Sequence, residues 1–212
     1  MGPWKVPFFV EILSRNNKIK AMSGPKTFNF GIPAFKEASG RITCPMAQKC
    51  VKGCYATKGF FRMNNVKDSY QTRYELTKLE SFVGLMAIEI KRKKAKRIRI
   101  HDSGDFYSLE YLKKWCDIAD RFPRTKFYFY TKSVAMVKSH VMPSNMTPIF
   151  SYGGKQDSLI DPKKDRHARV FNSESELKAA GYIDASKDDA RALGRSKRIG
   201  LIFRGNLKTS FA

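Results

Sequence analysis

Short apolar stretches, polar loops and longer segments of helical period follow one another along the chain. Short runs rich in branched and aromatic side chains predict strands at 8–13, 27–30, 97–100, 126–130, 148–151, 168–171 and 200–203. Apolar residues at helical spacing predict helices at 66–94 and 109–121, and a short helix after the strand at 126–130. Ser173, with Glu176 three residues later, predicts the start of a further helix.

The order of strand, polar loop, helix and strand repeats several times along the chain. Such units form parallel sheets with right-handed crossovers. The sequence therefore predicts an α/β protein with an open parallel sheet or a partial TIM-like barrel. The length fits one domain, residues 1–212, with an N-terminal cysteine-rich metal-binding loop at 40–64 inside it.

Polar residues stand where four of the predicted strands end. They are His101, Asp102, Ser103, Gly104 and Asp105; Thr131, Lys132 and Ser133; Ser151, Tyr152, Gly153 and Gly154; and Arg204, Gly205 and Asn206. In parallel α/β folds, ligands bind at the carboxyl ends of the strands. We therefore expect a pocket there, with the cofactor-binding residues Ser103, Gly104, Asp105, Thr131, Lys132 and Ser151. For the last two segments, an ordinary polar loop is an equal alternative.

The candidate catalytic residues are His101, Asp102 and Asp105. An imidazole and two carboxylates this close together are costly to bury unless they are paired or bind a ligand. They suit general acid or base catalysis, the binding of a cationic or hydroxyl group, or a second metal site. In a structural alternative, Asp105 or Ser108 caps the helix that begins near Leu109, and Ser108 is the better cap.

Three of the four cysteines, Cys44, Cys50 and Cys54, lie within eleven residues. In a reducing cytosol, clustered cysteines indicate metal binding or catalysis more often than disulfides. Three converging thiolates predict an iron–sulfur cluster, with zinc as the alternative metal. Cys116 shares a helix face with apolar residues, so a core position is favoured over a role as fourth ligand.

The charge balance is strongly basic, with 41 Lys and Arg against 19 Asp and Glu and a formal net charge of +22. A field of this size attracts polyanions, so we expect DNA or RNA as a partner, with a solvated basic surface as the alternative. The candidate nucleic-acid-binding residues are Lys91, Arg92, Lys93, Lys94, Lys96, Arg97, Lys163, Lys164 and Arg198.

A membrane location is not expected. No run of eighteen apolar residues is present, and the first residues lack the unbroken apolar segment of a signal peptide. The sequence therefore predicts a cytosolic protein.

Three segments together resemble a known family. They are Thr43-Cys44-Pro45 through Cys50 to Cys54-Tyr55-Ala56, the stretch Arg99-Ile100-His101-Asp102-Ser103-Gly104-Asp105-Phe106, and Phe129-Tyr130-Thr131-Lys132-Ser133. These segments, within a match from about Asn17 to Gly154, resemble the bacteriophage gene product eighty-eight family. The resemblance implies expression in the cytoplasm of a bacterial host, and it supplies no reaction.

A more distant resemblance is to radical S-adenosylmethionine enzymes. In that family three cysteines hold a [4Fe–4S] cluster on a full or partial α/β barrel, and a Gly-rich acidic motif at a later strand end holds the amino group of S-adenosylmethionine. Here the cysteines precede a helix and a strand that ends in Ser103-Gly104-Asp105, with C-x5-C-x3-C in place of the common C-x3-C-x2-C. The resemblance implies that Cys44, Cys50 and Cys54 hold the cluster, and that Gly104 and Asp105 meet the methionine end of the cofactor.

Three hypotheses follow for the function. The first is a phage iron–sulfur protein that binds nucleic acid through its basic surface. The second is a radical-type enzyme that modifies nucleic acid or a protein bound to it. The third, a metal-dependent nuclease that uses His101, Asp102 and Asp105, is weaker, because one short segment rarely supplies a complete two-metal site.

Overall fold

The computed structural model describes residues 11–203, and its centre is an open sheet of parallel strands. Seven strands lie in the order β1-β2-β3-β4-β5-β7-β6, and the sheet curls into a half-barrel. The prediction of an open parallel α/β sheet is thereby confirmed. The strands are β1 Thr27–Phe30, β2 Arg97–Ile100, β3 Lys126–Thr131, β4 Met146–Ser151, β5 His167–Phe171, β6 Ile183–Asp184 and β7 Arg198–Ile202.

Helices connect the strands. They are α1 Asn17–Lys20, α2 Asn64–Lys78, α3 Phe82–Lys93, α4 Leu109–Arg121, α5 Val134–Lys138 and α6 Glu174–Ala179, with short 3-10 turns at Lys49–Val51, Tyr55–Thr57, Gly59–Arg62, Asp157–Leu159 and Asp189–Leu193. Ser108 caps α4 by accepting a hydrogen bond from Tyr111 N, and Ser173 caps α6 by accepting one from Glu176 N. Both predicted caps are therefore confirmed.

The single helix predicted at 66–94 is wrong, because two helices, α2 and α3, occupy this segment. Leu79 leaves the helical conformation, with ψ of 144°, and is 43% exposed. The break turns Phe82 fully into the core, against Phe30 and Trp115. The Lys114 ammonium donates to the freed Leu79 carbonyl at 3.1 Å, which satisfies the broken helix end.

Smaller differences lie near the two ends of the chain. Half of the predicted strand at 8–13 falls outside the described residues, and residues 11–13 are not in a strand. Asn16 caps α1 by accepting a hydrogen bond from Ile19 N. The two-residue strand β6 was not predicted, and Arg204, Gly205 and Asn206 lie outside the described residues.

The two faces of the sheet have different surroundings. Ile98 and Ile100 of β2 belong to the large core that includes Trp115 of α4, which we call the helix-side core. Because strand side chains alternate, Arg97 and Arg99 lie on the other face. Cys116 is buried in the helix-side core, as predicted.

Candidate functional site

Strand β2 ends at Ile100, and the next residue, His101, has a left-handed backbone conformation with φ of +64°. The turn places the imidazole against the Phe106 ring, at 4.6 Å between centroids, with Nε2 2.9 Å from the Tyr111 hydroxyl. Both contacts belong to the helix-side core. Burial, with a smaller effect of the Arg99 charge, lowers the pKa of His101 to about 3. His101 is therefore a neutral core residue at pH 7.

Asp102 is buried at the junction of several elements. Its Oδ2 accepts hydrogen bonds from Asn29 Nδ2 at 2.6 Å, from Tyr70 OH at 3.0 Å and from Asn16 Nδ2 at 3.1 Å. The Asp102 carbonyl accepts from the Tyr55 hydroxyl of the cysteine loop. Burial raises the pKa of Asp102, and these donors oppose the rise. Asp102 thus joins β1, β2 and α2.

Asp105 forms a second junction, between β2 and β3. Its carboxylate accepts from Thr131 Oγ1 at 2.7 Å, from Lys132 N at 2.8 Å and from its neighbour Phe106 N at 2.7 Å. Burial raises the pKa of Asp105 despite these donors. The preceding Gly104 has φ of +80°, and a Cβ there would lie 2.2 Å from Ile32 Cγ1, so the turn requires glycine.

The cysteine loop docks on this end of the sheet, which we call the carboxyl rim. Asp105 N donates at 3.1 Å to the carbonyl oxygen of Thr43, the residue before Cys44. On the other side, Cys50 N donates to Gly153 O at 3.4 Å and Lys155 N donates to Met46 O at 2.9 Å. The loop therefore bridges the ends of β2 and β4.

Lys132 and Ser151 also lie at the carboxyl rim. Lys132 Nζ donates to Ser151 Oγ at 2.8 Å and lies near enough to Cys54 for its charge to lower the pKa of that thiol. Burial is the larger influence, so the pKa of Cys54 is raised on balance. The rim thus places one cation beside the thiols.

The three thiols share one electrostatic neighbourhood. Burial, with smaller contributions from the charges of Asp105, Cys54 and Cys50, raises the pKa of Cys44 to about 12. All three cysteines are free and partly exposed. Cys44 and Cys54 are therefore protonated at neutral pH unless a cation replaces their protons.

The donor set of the loop differs from that of a single-metal site. A single zinc ion requires four donors at about 2.0–2.3 Å from one point. Within residues 11–203, no group of three or more His, Cys, Asp or Glu side chains is arranged to hold one metal ion. An iron–sulfur cluster is ligated by cysteine thiolates, each at its own iron atom, so its ligands need not meet at one point. Three free, neighbouring thiols fit that chemistry.

A cleft of about 510 Å³ opens beside the cysteine loop. Its walls include Ala56 and Thr57 of the loop, Phe61, and Tyr70 of α2. Of the predicted pocket residues, only Ser103 lines it, and the Ser103 hydroxyl is buried without a hydrogen-bond partner among the described residues. Three of the other predicted residues form hydrogen bonds within the rim instead. Thr131 Oγ1 and Lys132 N donate to Asp105, and Lys132 Nζ donates to Ser151 Oγ.

The face of the sheet that bears Arg99 carries a charge network that the sequence did not predict. Asp189 pairs with Arg99 Nη1 at 2.7 Å and with Lys18 Nζ at 2.5 Å, and accepts from Tyr128 OH at 3.1 Å. Burial alone would raise the pKa of Asp189, but Arg99 and Lys18 lower it on balance. Asp189 begins a 3-10 turn and was not part of a predicted polar strand end, so no sequence pattern pointed to it.

The basic residues lie at the opposite end of the sheet, where the strands begin, which we call the amino rim. The segment from Lys91 to Arg97 leads from α3 into β2, Lys163 and Lys164 precede β5, and Arg198 begins β7. Arg92 pairs with Glu89, Lys93 with Glu89 and Glu11, and Lys164 with Asp161 at 4.0 Å. Within the described residues, Lys91, Lys94, Lys96, Arg97, Lys163 and Arg198 form no ion pair.

The comparisons with known proteins agree with the motifs. Among residues 11–203, no helix is long and apolar enough to cross a membrane. Searches of curated proteins and of solved structures found no match. The family model described as gene product 88 matches residues 11–208, which is most of the chain. The protein therefore belongs to the gene product 88 family, the bacteriophage family that its cysteine and strand-end motifs predicted.

Proposed function

We propose that this protein is a phage iron–sulfur protein that binds nucleic acid, with Cys44, Cys50 and Cys54 as the cluster ligands. One observation carries the cluster assignment: three free thiols share an electrostatic neighbourhood at the carboxyl rim. Raised pKa values make Cys44 and Cys54 poor nucleophiles, which argues against covalent catalysis by these two thiols. Ligands of a metal cluster need only lose their protons when the metal binds.

The residues around the thiols suit a fixed ligand loop. Backbone hydrogen bonds from Asp105 to Thr43 and from Lys155 to Met46 hold the loop on both sides of Cys44. Lys132 offsets part of the negative charge that three thiolates bring. A bound cluster would supply electron transfer or a rigid cross-link, and three cysteine ligands leave one iron of a [4Fe–4S] cluster without a protein thiolate.

Purification without oxygen tests the cluster. We expect brown protein with broad visible absorption, about four iron atoms per chain and a matching amount of acid-labile sulfide. Cys44→Ser, Cys50→Ser and Cys54→Ser should each lose most of the iron. Cys116→Ala is the matched control and should keep it, because Cys116 lies in the helix-side core. Colourless protein that holds zinc would contradict the proposal.

Nucleic-acid binding rests on the net charge of +22 and on the cations of the amino rim that lack ion pairs. Phosphate contacts release counterions, so the logarithm of the binding constant should fall linearly with the logarithm of the salt concentration. Fluorescence anisotropy with labelled duplex and single-stranded oligonucleotides measures this slope. A flat salt response would contradict the assignment.

A radical-type enzyme that acts on nucleic acid, or on a protein bound to it, is the second candidate. It is favoured by one arrangement: the cysteine loop follows β1, the Ser103-Gly104-Asp105 turn ends β2, and the two are hydrogen bonded through Asp105 N and Thr43 O. The Asp105 carboxylate already accepts hydrogen bonds from Thr131 Oγ1 and Lys132 N. The unpartnered Ser103 hydroxyl would therefore be the group that meets a cofactor.

Electron paramagnetic resonance separates this candidate from the first. If the protein binds S-adenosylmethionine at the cluster, the cofactor should change the spectrum of the reduced cluster, and Ser103→Ala should weaken that response. An unchanged spectrum at saturating cofactor would rule the enzyme out and leave the iron–sulfur proposal intact.

A further inference from the structure

The starts of β1, β2 and β3 carry one lysine each: Lys26, Lys96 and Lys126. Backbone hydrogen bonds hold the three side by side, since Lys96 N donates to Lys26 O at 3.0 Å and Lys126 N donates to Lys96 O at 3.0 Å. Neighbouring strands lie about 4.8 Å apart. The register sets Lys26 level with Lys96, and Lys126 level with Arg97, so the three exposed lysines occupy the starts of three adjacent strands at the amino rim. We call them the lysine row.

The lysine row is not balanced by acids. Among the described residues, none of its three ammonium groups forms an ion pair. The acid of α3, Glu89, pairs with Arg92 and Lys93 instead. Like charges on adjacent strands repel each other. A bound polyanion would remove this repulsion.

Arg97 adds a second, independent observation. It follows Lys96 directly, and its Nε and Nη1 atoms are buried with no hydrogen-bond partner within residues 11–203. A guanidinium without an acceptor is costly to keep, and it binds phosphate oxygens well. Because these two atoms are closed to solvent, a phosphate from outside the chain would reach them only after the Arg97 side chain moves.

We propose that the lysine row, together with Arg97, docks the phosphate backbone of a nucleic acid, and that the carboxyl rim takes no part in this contact. The inference rests on the proposed nucleic-acid function and adds where the partner sits. Exposed ammonium groups on adjacent strand starts suit a chain of repeating phosphates, whereas a protein interface needs apolar anchors, which the row lacks.

The two ends of the molecule are thereby assigned to different ligands. Lys96 and His101 are five residues apart along extended backbone, which separates them by about 16 Å. A nucleic acid on the lysine row leaves the cysteine loop and its cleft open. The cluster would then respond to a small molecule or to an electron donor, while the amino rim stays bound.

A pair of matched triple variants tests the location. Lys26→Gln/Lys96→Gln/Lys126→Gln neutralises the lysine row. Lys36→Gln/Lys52→Gln/Lys67→Gln removes the same charge from exposed positions on the carboxyl-rim side. For a labelled DNA duplex of two helical turns, we expect the row variant to bind at least about tenfold more weakly at low salt, with a salt slope smaller by about 3. The control should keep the wild-type slope and lose little affinity.

Each other outcome has a defined meaning. If the wild-type protein binds no nucleic acid, the proposed function fails and the location fails with it. If the wild type binds but both variants weaken equally, or only the control weakens, the function stands and the location is overturned. Arg97→Gln gives a separate check, with an expected decrease in slope of about 1.

Two further measurements separate a lost phosphate contact from misfolding and from an acidic protein partner. Iron content and thermal unfolding should be the same in the row variant and the wild type, because the replaced side chains are exposed. Poly-glutamate serves as competitor: if it displaces the duplex as well as unlabelled duplex does at equal charge concentration, an acidic protein is the partner and the proposal is overturned. Much weaker competition supports nucleic acid.

Discussion

At the carboxyl rim, the Asp105 carboxylate is buried and accepts three hydrogen bonds, whereas at the amino rim Lys26, Lys96 and Lys126 are exposed and unpaired within the described residues. Buried groups with fixed partners define geometry and tolerate little change. Exposed charges define a field that salt screens. Packing and pH should therefore govern the carboxyl rim, and salt should govern the amino rim.

The largest effect should come from adding one methyl group at the carboxyl rim. A Cβ at Gly31 would lie 2.0 Å from Asp102 Oδ1 and 2.5 Å from the Tyr70 ring, so Gly31→Ala must displace the carboxylate from its donors. We expect a loss of about 3 kcal/mol or more in the free energy of unfolding, measured in urea.

Gly84→Ala is the control for Gly31→Ala. Gly84 lies on the exposed side of α3, with open space where its Cβ would be. Alanine there should stabilise the protein by about 0.5–1 kcal/mol, because it favours the helix. Equal effects of the two substitutions would contradict the tight packing of the carboxyl rim.

Replacing Asp105 with asparagine should cost about 2 kcal/mol of unfolding free energy. An amide NH₂ would face Lys132 N, a donor that now meets Asp105 Oδ2 at 2.8 Å. Asp117→Asn, on the exposed face of α4, should change stability by less than about 0.5 kcal/mol. If both variants unfold at the same urea concentration as the wild type, Asp105 does not hold the strand ends together.

The pH response of His101 should have a defined sign. Burial keeps its folded pKa at about 3, below the unfolded value of about 6.5. As pH falls below about 6.5, His101 becomes protonated in the unfolded chain but stays neutral in the folded protein, so stability falls until about pH 3. By pH 5.5 the loss from this residue should be about 1.4 kcal/mol.

Urea unfolding of His101→Gln and the wild type, measured from pH 7.5 to pH 5, isolates that loss. The variant should lack this share of the acid destabilisation, so the difference between the two proteins should shrink or reverse as pH falls. Parallel pH curves would mean that His101 is protonated equally in both states.

The smallest effect on stability should come from the amino rim. Neutralising the lysine row should change the unfolding free energy by less than about 0.5 kcal/mol per substitution, because these side chains are exposed. Any change should be a slight stabilisation at low salt, since repulsion is relieved, and it should disappear in high salt. A large loss of stability would show that the row supports the fold itself.

Local patterns were sufficient for much of the fold. The strands at Thr27–Phe30 and Arg97–Ile100 and the helix at Leu109–Arg121 have the predicted bounds, because each combines a clear period with a turn or cap beside it. The polar ends of β2, β3 and β4 also lie at one rim, as the parallel topology requires. These features depend on neighbours in the sequence.

Features that depend on distant residues could not be predicted. Alternation along β2 cannot reveal that a left-handed turn at His101 sends its ring into the helix-side core. The apolar residues keep their helical spacing across the break after Lys78, so the pattern does not reveal the break. The packing of Phe82 in the core does. Each lysine of the row looks ordinary in the sequence, since their places on adjacent strands appear only once the strand order is known.

The docking of the cysteine loop also has a consequence for how the protein matures. The loop leaves the sheet after β1, and its docking partners, Asp105, Gly153 and Lys155, are all encoded later in the chain. A ribosome adds about 5–20 residues per second, so Cys44 emerges about 5–20 seconds before Lys155. During that interval the thiols have no native surroundings. The proposed cluster would therefore find its docked loop only late in biosynthesis, after the translation of β4.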